Sequence, residues 1–260
     1  MIFLSDNGQD EYVNMLAQGH GFPITDSRDF VYEHSTEPIV LRGILKYKLM
    51  QRCWKDNRTF YYIDTGYFGN NPGLNNPRGY KHWHRIVKNN LQHQEIQPRP
   101  DDRWRRFEIN FAPRRRGTKI VIAAPDNKPA KFYGFDSEQW TTQVTEQLQQ
   151  YTDRPIIVRQ RNKSRRDRTL VSPLRTLLED DVHALVTFNS NAAVESILAG
   201  VPVFVLAPVH AARPVGNIDL SKIENPHWPD SDKLLAWASS LAYGQFHIEE
   251  FQQGKVLELL

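Results

Sequence analysis

Three groups of residues in this sequence have types and spacing suited to chemistry. The first is Asn189-Ser190-Asn191 followed by Ala-Ala-Val-Glu195. An apolar run, Ala184–Phe188, ends there and a helical pattern begins, so backbone N–H groups and the positive end of a helix dipole point at the strand end. That is a ready anion site, to which Ser190 adds a hydroxyl. Glu195 lies about one turn into the helix, where its carboxylate can accept hydrogen bonds from a ribose diol. The second group is Arg159, Arg161 and Lys163, placed just after the apolar run Pro155–Val158. The third is Asp64, which follows Thr59–Ile63 and opens a segment rich in Gly, Pro and Asn. A carboxylate at a buried strand end projects beyond the sheet; the alternative role is an Asx turn with Thr65 and Gly66. The histidines do not form a metal set, since His82 and His84 stand two apart with no carboxylate cluster beside them. Asp230-Ser-Asp232 follows Pro229 rather than a strand and reads as a helix cap, not a metal site.

The elements that must position these residues follow from the hydrophobic pattern. Ile2–Leu4, Pro38–Leu41 and Thr59–Ile63 read as strands, with a helix capped by Asp6 running through Tyr12 and Leu16, and a second from Ile44 to Trp54. Tyr67 to Tyr80 reads as a long loop, the kind of segment that carries function. A second alternating set begins after the Arg-rich stretch 103–117. Lys119–Ala124, Pro155–Val158, Ala184–Phe188 and Val201–Leu206 are strands. Ser137–Gln150, capped by Ser137, Leu174–Leu178 and Ala192–Ala199 are helices. Asp230–Ala242 and Ile248–Leu260 close the chain as helices. Continuous apolar strands alternating with helices predict an α/β fold with parallel sheets covered on both faces. Ligands of such sheets bind at the carboxyl ends of the strands.

Composition sets outer bounds. At 260 residues the chain suits one large domain or two small ones. With 40% hydrophobic residues, including 13 Phe, 10 Tyr and 6 Trp, it has ample core material and is not disordered. Its single cysteine, Cys53, excludes an internal disulfide framework and a cysteine-based zinc site, and fits a reducing cytoplasm. The N-terminal apolar run before Ser5 is shorter than the roughly 7–15 residues of a secretory segment. No run approaches the ~18 apolar residues of a membrane span. The expectation is a soluble cytoplasmic protein without a membrane partner.

A net charge of +3 excludes a histone-like polycation but conceals polarity. Segment 159–168 holds six basic residues against Asp167, and segment 103–116 holds six arginines against Glu108. Arg78, Lys81, Arg85 and Lys88 interleave with Tyr80 and Trp83. Basic residues bind phosphates and aromatic rings stack displaced bases, so Arg78, Lys81, Arg103, Arg114, Arg115 and Arg116 are candidate DNA contacts. The alternative is a solvated basic face.

Residues 189–206 resemble the donor-binding half of glycosyltransferases of the GT-B fold. There a small polar residue at a helix start is followed by a Glu, a Gly five residues on and a Pro two later; Glu195, Gly200 and Pro202 keep that spacing. With Tyr62–Phe68, Trp83–Asn89, Val158–Lys163, Asp181–Glu195, Ile223–Pro226 and Leu241–Phe246, most of the chain resembles small phage-encoded glycosyltransferases, distantly similar to capsule polysaccharide transferases. The resemblance implies two Rossmann-like parallel-sheet units facing a cleft in a compact GT-B-like arrangement. Residues 1–112 would bind the acceptor, 117–242 the nucleotide-sugar donor, and 243–260 would form a C-terminal helix crossing back onto the first unit.

It also implies roles. Arg159, Arg161, Lys163, Asn189, Ser190, Asn191 and Glu195 would hold the donor, expected to be a UDP-sugar, on adjacent strands. Cations and a helix terminus can stabilise the leaving diphosphate, so no cofactor is required and a divalent metal is optional. Asp64 would be the general base for the acceptor hydroxyl, with His82 and His84 as second choices. Tyr67, His82, His84 and Arg85 would face the acceptor. The expected activity is sugar transfer to a hydroxymethylated pyrimidine in phage DNA, extruded from the duplex. The alternatives are a transferase of surface polysaccharide or lipopolysaccharide synthesis, and a non-catalytic nucleic-acid binding module.

Overall fold

The computed structural model describes residues 1–70, 82–159 and 181–260. Of these, 1–70, 82–93 and 241–260 form one compact unit, and 94–159 with 181–240 a second. The boundary expected at 112–117 falls inside the second unit.

The first unit opens with β1 (Ile2–Ser5), α1 (Glu11–Gly19), β2 (Ile24–Asp26), β3 (Ile39–Arg42), α2 (Tyr47–Lys55), β4 (Phe60–Thr65) and β5 (Trp83–Lys88). The second carries α3 (Asp102–Arg105), β6 (Lys119–Ala123), α4 (Asn127–Tyr133), α5 (Ser137–Gln149), β7 (Ile156–Arg159), β8 (Val182–Thr187), α6 (Ala192–Leu198), β9 (Val203–Val205) and α7 (Ser231–Tyr243). The chain rejoins the first unit from Leu241, in the last turn of α7, and continues with β10 (Gln245–His247) and α8 (Ile248–Gln252). No helix among the described residues is long and apolar enough to cross a membrane.

The first sheet has the order β10-β5-β4-β3-β1-β2. β2, β1, β3 and β4 are parallel, whereas β5 runs antiparallel to both β4 and β10. The parallel α/β expectation therefore holds for the core of this sheet and gives way to a mixed edge. β10 replaces part of the expected closing helix, of which only α8 forms. Its residue Phe246 joins Phe251 and Val256 in one apolar cluster with Phe3, Val13, Leu16, Val40 and Ile63. The tail is thus part of the first unit's core. Gly19, at the end of α1, packs so closely on the Phe251 carbonyl that any side chain there would overlap it.

The second sheet, β7-β6-β8-β9, is wholly parallel. Every residue of β8 is buried, the expected signature of a strand covered on both faces. α5 packs Val144 and Leu148 on Ile120, Ile122 and Val186. Two caps differ from expectation: the Asp10 carboxylate, not Asp6, accepts from the Val13 N–H, and Asp136, not Ser137, accepts from Glu138 and Gln139. An acidic cap one turn before the apolar stripe satisfies two orphan amides at once in the second case. The Leu174–Leu178 helix lies outside the described residues.

Gly200 shows why a glycine stands between α6 and β9. Its φ is +78°, and a Cβ would overlap the Pro113 carbonyl. Its own carbonyl accepts from the Arg115 N–H at 2.7 Å, and Leu198 accepts from Ala112 at 2.9 Å. Gly200→Ala should therefore cost at least about 2 kcal/mol from backbone strain and overlap together, read as a lowered urea midpoint for the second unit.

Candidate functional site

Asp64 occupies the carboxyl end of β4. Backbone pairing places it opposite Arg85 in β5, and Arg85 opposite Gln245 in β10. Residues paired this way share a face of the sheet. The Asp64 Oδ2 accepts from Arg85 Nη2 at 2.7 Å and from the Tyr62 hydroxyl at 3.2 Å, and its Oδ1 accepts from the Thr65 N–H at 2.8 Å. The last contact reaches only the next residue and is not the Asx turn, because the Gly66 N–H donates to the Trp83 carbonyl at 2.8 Å instead. The carboxylate nonetheless keeps 37% of its side-chain surface exposed while its arginine partner keeps 6%. One end of the ion pair is anchored in the fold and the other faces outward.

Arg85 is the anchor. Its Nη1 donates to the Thr65 carbonyl at 2.7 Å and its Nε to the Leu91 carbonyl at 3.1 Å. The guanidinium also lies 5.2 Å from the Tyr67 ring centroid. Burial works against its charge, but the Asp64 carboxylate together with Tyr67 and Tyr62 outweighs it, raising its pKa. Burial, reinforced by Asp64, pushes the Tyr62 hydroxyl well above the ordinary range, so it stays a neutral donor.

The loop after Asp64 is fastened from the tail. Gln245 is fully buried, and its Oε1 accepts from the Tyr67 N–H at 2.6 Å and the Phe68 N–H at 3.0 Å. Its Nε2 donates to the Phe68 carbonyl at 3.3 Å. Asn70 closes the far side, with Oδ1 accepting from His82 and Trp83 at 3.0 Å each and Nδ2 donating to Trp83 O at 2.7 Å. The Tyr67 hydroxyl accepts from the His93 N–H at 3.0 Å and lies 3.1 Å from His93 Nδ1. Burial pushes that hydroxyl up to about 12.

This arrangement changes the parts played by the expected acceptor residues. Arg85 and Tyr67 are buried and committed to holding Asp64 and its loop. His84 is fully buried, its ring 3.8 Å from the Tyr12 ring. Side chains buried to this degree leave little surface for an acceptor to touch. His82 is half-buried and stacks at 5.7 Å on His247.

In the second unit, β8 ends at Thr187, and Asn189, Ser190 and Asn191 lead half-buried into α6. Ser190 Oγ accepts from the Ala192 N–H at 3.2 Å. Its carbonyl accepts from Ala193 at 3.1 Å and from His210 Nε2 at 3.1 Å. His210 Nδ1 accepts from the Ala212 N–H at 2.9 Å, which leaves the ring proton on Nε2 to donate to Ser190. Nothing in the sequence singles out the fully buried His210. Its position becomes informative only when the loop after β9 passes the end of β8. Glu195 is half-buried in the first turns of α6.

Arg159 ends β7 at the same carboxyl edge, but β7 and β8 are not adjacent. Ala123 of β6 pairs with Arg159 on one side and Thr187 on the other. Two strand spacings, about 10 Å, therefore separate Arg159 from the Ser190 turn. Arg161 and Lys163 lie outside the described residues, as do Arg78 and Lys81.

The basic block 103–116 is less available than its sequence suggests. Arg103 is buried beside Trp104 in α3. Arg114 is exposed but donates to the Pro226 carbonyl at 3.0 Å. Arg115 is half-buried and Arg116 exposed. Asp230 Oδ1 accepts from the Lys233 N–H at 2.8 Å, the cap expected of the Asp-Ser-Asp run.

The fold is similar to that of a solved structure. The β-Kdo 2,7 transferase of KpsC from Thermosulfurimonas dismutans superposes with a TM-score of 0.52 at 11% identity, covering 99% of both chains. The β-Kdo 2,4 transferase of the same organism's KpsC gives a TM-score of 0.48 at 13% identity, covering 86% of this chain and 85% of that one. At such identities the likeness is one of fold. No protein-family model matches the chain, and no curated protein matches it.

Two outcomes test the Asp64 site. Gln245→Leu strands the Tyr67 and Phe68 amides, each expected to cost about 1–3 kcal/mol, with faster hydrogen exchange at those two amides than at β3. The second concerns pH. Burial, followed by the Arg85 charge, pushes His93 from the ordinary 6.5 down to about 4. The unfolded chain therefore binds a proton that the folded chain refuses across that window. Stability should fall as pH drops from about 6.5 and level off near 4. The ring's partial access to solvent limits the loss to on the order of 2 kcal/mol. Denaturation midpoints of the wild type and His93→Gln should converge at pH 4 relative to their difference at pH 7.5.

Proposed function

We propose that this protein is a nucleotide-sugar-dependent glycosyltransferase that extends a saccharide of a surface polysaccharide. The observation that carries the reading is the Asp64 carboxylate. It is partly exposed at a strand end, yet its partner Arg85 is anchored by the Thr65 and Leu91 carbonyls. An acceptor hydroxyl must lose a proton as it attacks the sugar carbon, and a fixed, outward-facing carboxylate is suited to take it. Tyr62 and Arg85 hold Oδ2, so their donors orient the carboxylate and a lone pair remains for the substrate.

In the second unit the Ser190 turn, braced by His210, would bind the donor's phosphates with Asn189, Asn191 and Arg159, and Glu195 would take the ribose hydroxyls. Arg161 and Lys163 would complete the cationic set. Developing charge on the leaving diphosphate would then meet cations and backbone amides, with a divalent metal optional. The donor is expected to be a UDP-sugar.

The saccharide acceptor is favoured over DNA on two grounds. The full-length structural likeness is to an enzyme that transfers a sugar, the KpsC β-Kdo 2,7 transferase. Arg103 is buried and Arg114 bonded, which weakens the basic surface on which a DNA acceptor rests.

The test is incubation of the full chain with a panel of nucleotide sugars and three acceptors: oligosaccharide, unmodified DNA and hydroxymethylated DNA. Mass spectrometry should show one added sugar on oligosaccharide. A gain only on hydroxymethylated DNA would restore the DNA reading, and no gain on any acceptor would reject transfer altogether. Asp64→Asn keeps the shape and loses the base, so turnover should fall by about 10²–10⁴-fold with nucleotide affinity unchanged. A chelator should leave turnover largely intact.

A further inference from the structure

A cavity of about 470 Å³ opens at the opposite end of the first sheet. Pro38 and Thr59, which directly precede β3 and β4, line it together with Tyr32, Arg52, Asp56 and Arg58. It therefore lies at the amino ends of the parallel strands, whereas Asp64 lies at the carboxyl end, roughly 16 Å along β4. Its volume is within the usual range for small-molecule sites, about 300–1,000 Å³.

Arg58 is the unusual component of the wall. It is only 8% exposed. Its Nε donates to the Glu37 carbonyl at 2.9 Å and its Nη1 to the Tyr32 carbonyl at 2.8 Å. Its guanidinium lies 4.6 Å from the Tyr32 ring centroid and 5.5 Å from that of Phe30. All these partners are neutral. The buried Nη2 has no hydrogen-bond partner, and no carboxylate among the described residues pairs with Arg58. The neighbouring carboxylates serve a different cation: Glu33 bonds Arg52, and Asp56 lies 3.6 Å from Arg52 Nε. A buried guanidinium with neutral acceptors and one idle donor lacks an anion.

We propose that this cavity is a second ligand site, in which Arg58 turns its closed-off Nη2 toward the cavity to receive the oxyanion group, carboxylate or phosphoryl, of a small molecule. The planar guanidinium matches such a group through directed N–H donors. Ser35 Oγ, on the same wall, accepts from the Glu37 N–H at 3.0 Å, and its own hydroxyl hydrogen can donate to the ligand. Glu33 and Asp56 oppose a second negative charge, so the site selects ligands with a single anionic group. The body of the ligand occupies the remaining volume beside Pro38 and the exposed rim residue Thr36.

The test needs no turnover, so it stands or falls separately from the transfer reaction. Sodium phosphate and sodium acetate are titrated into the isotope-labelled full chain at fixed ionic strength, with chloride as control. Saturable shifts are expected at the Arg58 side chain and at the amides of Thr36 and Thr59. Arg58→Lys should abolish saturation. Because Arg58 also holds two carbonyls, Thr36→Asp provides a variant that leaves the fold untouched. The fixed charge at the rim should weaken anion binding several-fold. Saturation by acetate alone assigns a carboxylate, by phosphate alone a phosphoryl group, and by both the shared chemistry. Shifts that do not saturate, that chloride reproduces, or that keep wild-type affinity in Thr36→Asp would overturn the proposal.

Discussion

The Asp64 edge of the first unit is organised around one buried cation. Arg85 sits in a strand whose neighbours on both sides supply what it needs or what it supports: Asp64 on β4, and Gln245 on β10 in the same row. A guanidinium at this depth is stabilised when its donors are matched and its charge is met. The Thr65 and Leu91 carbonyls match the donors, and Asp64 meets the charge. Asp64 is therefore held by the requirement that Arg85 imposes. The carboxylate cannot turn away without leaving Arg85 uncompensated, and this fixes its direction at the sheet's edge.

The second unit solves a similar positioning problem without an ion pair. Its strand-end turn is set by backbone and hydroxyl contacts, with His210 gripping the Ser190 carbonyl and Thr187 Oγ1 donating to the Ala123 carbonyl at 2.9 Å. These contacts shape the chain and leave the polar side chains of Asn189 and Asn191 half-exposed at the carboxyl edge of the sheet. Such an edge, ending in a helix start, is suited to an anionic partner. Gly200 and Pro202, which keep the spacing of a donor-binding motif, have structural duties of their own. Gly200 lets the segment 112–115 approach, and the Pro202 carbonyl accepts from Leu185 at 2.9 Å.

How much the sequence reveals depends on whether burial is written in apolar letters. The strands β1, β3, β4, β6 and β8 were legible because most of their buried residues are Ile, Val, Leu, Ala, Phe and Tyr. β5 and β10 were not, since His84, Arg85 and Gln245 are polar residues buried by bonds to distant partners. Gln245 meets Tyr67 across 178 positions, a relation no local pattern encodes. For the same reason Arg85 and Arg103 look like surface charge in the sequence and lie inside in the fold. Asp64 was legible because it interrupts an apolar strand at the start of a glycine-rich segment. Its anchor was hidden, and so were the idle donor of Arg58 and the brace of His210.

The tail's return also sets an order of events during synthesis. The second unit consists of residues that leave the ribosome before position 241, so its sheet can close while the chain is still growing. The first unit cannot follow suit. Its edge strand and the Gln245 clamp come from the closing segment, and its core lacks Phe246, Phe251 and Val256 until then. The unit that begins first is completed last, and a prematurely ended chain carries Asp64 without the hand that steadies its loop.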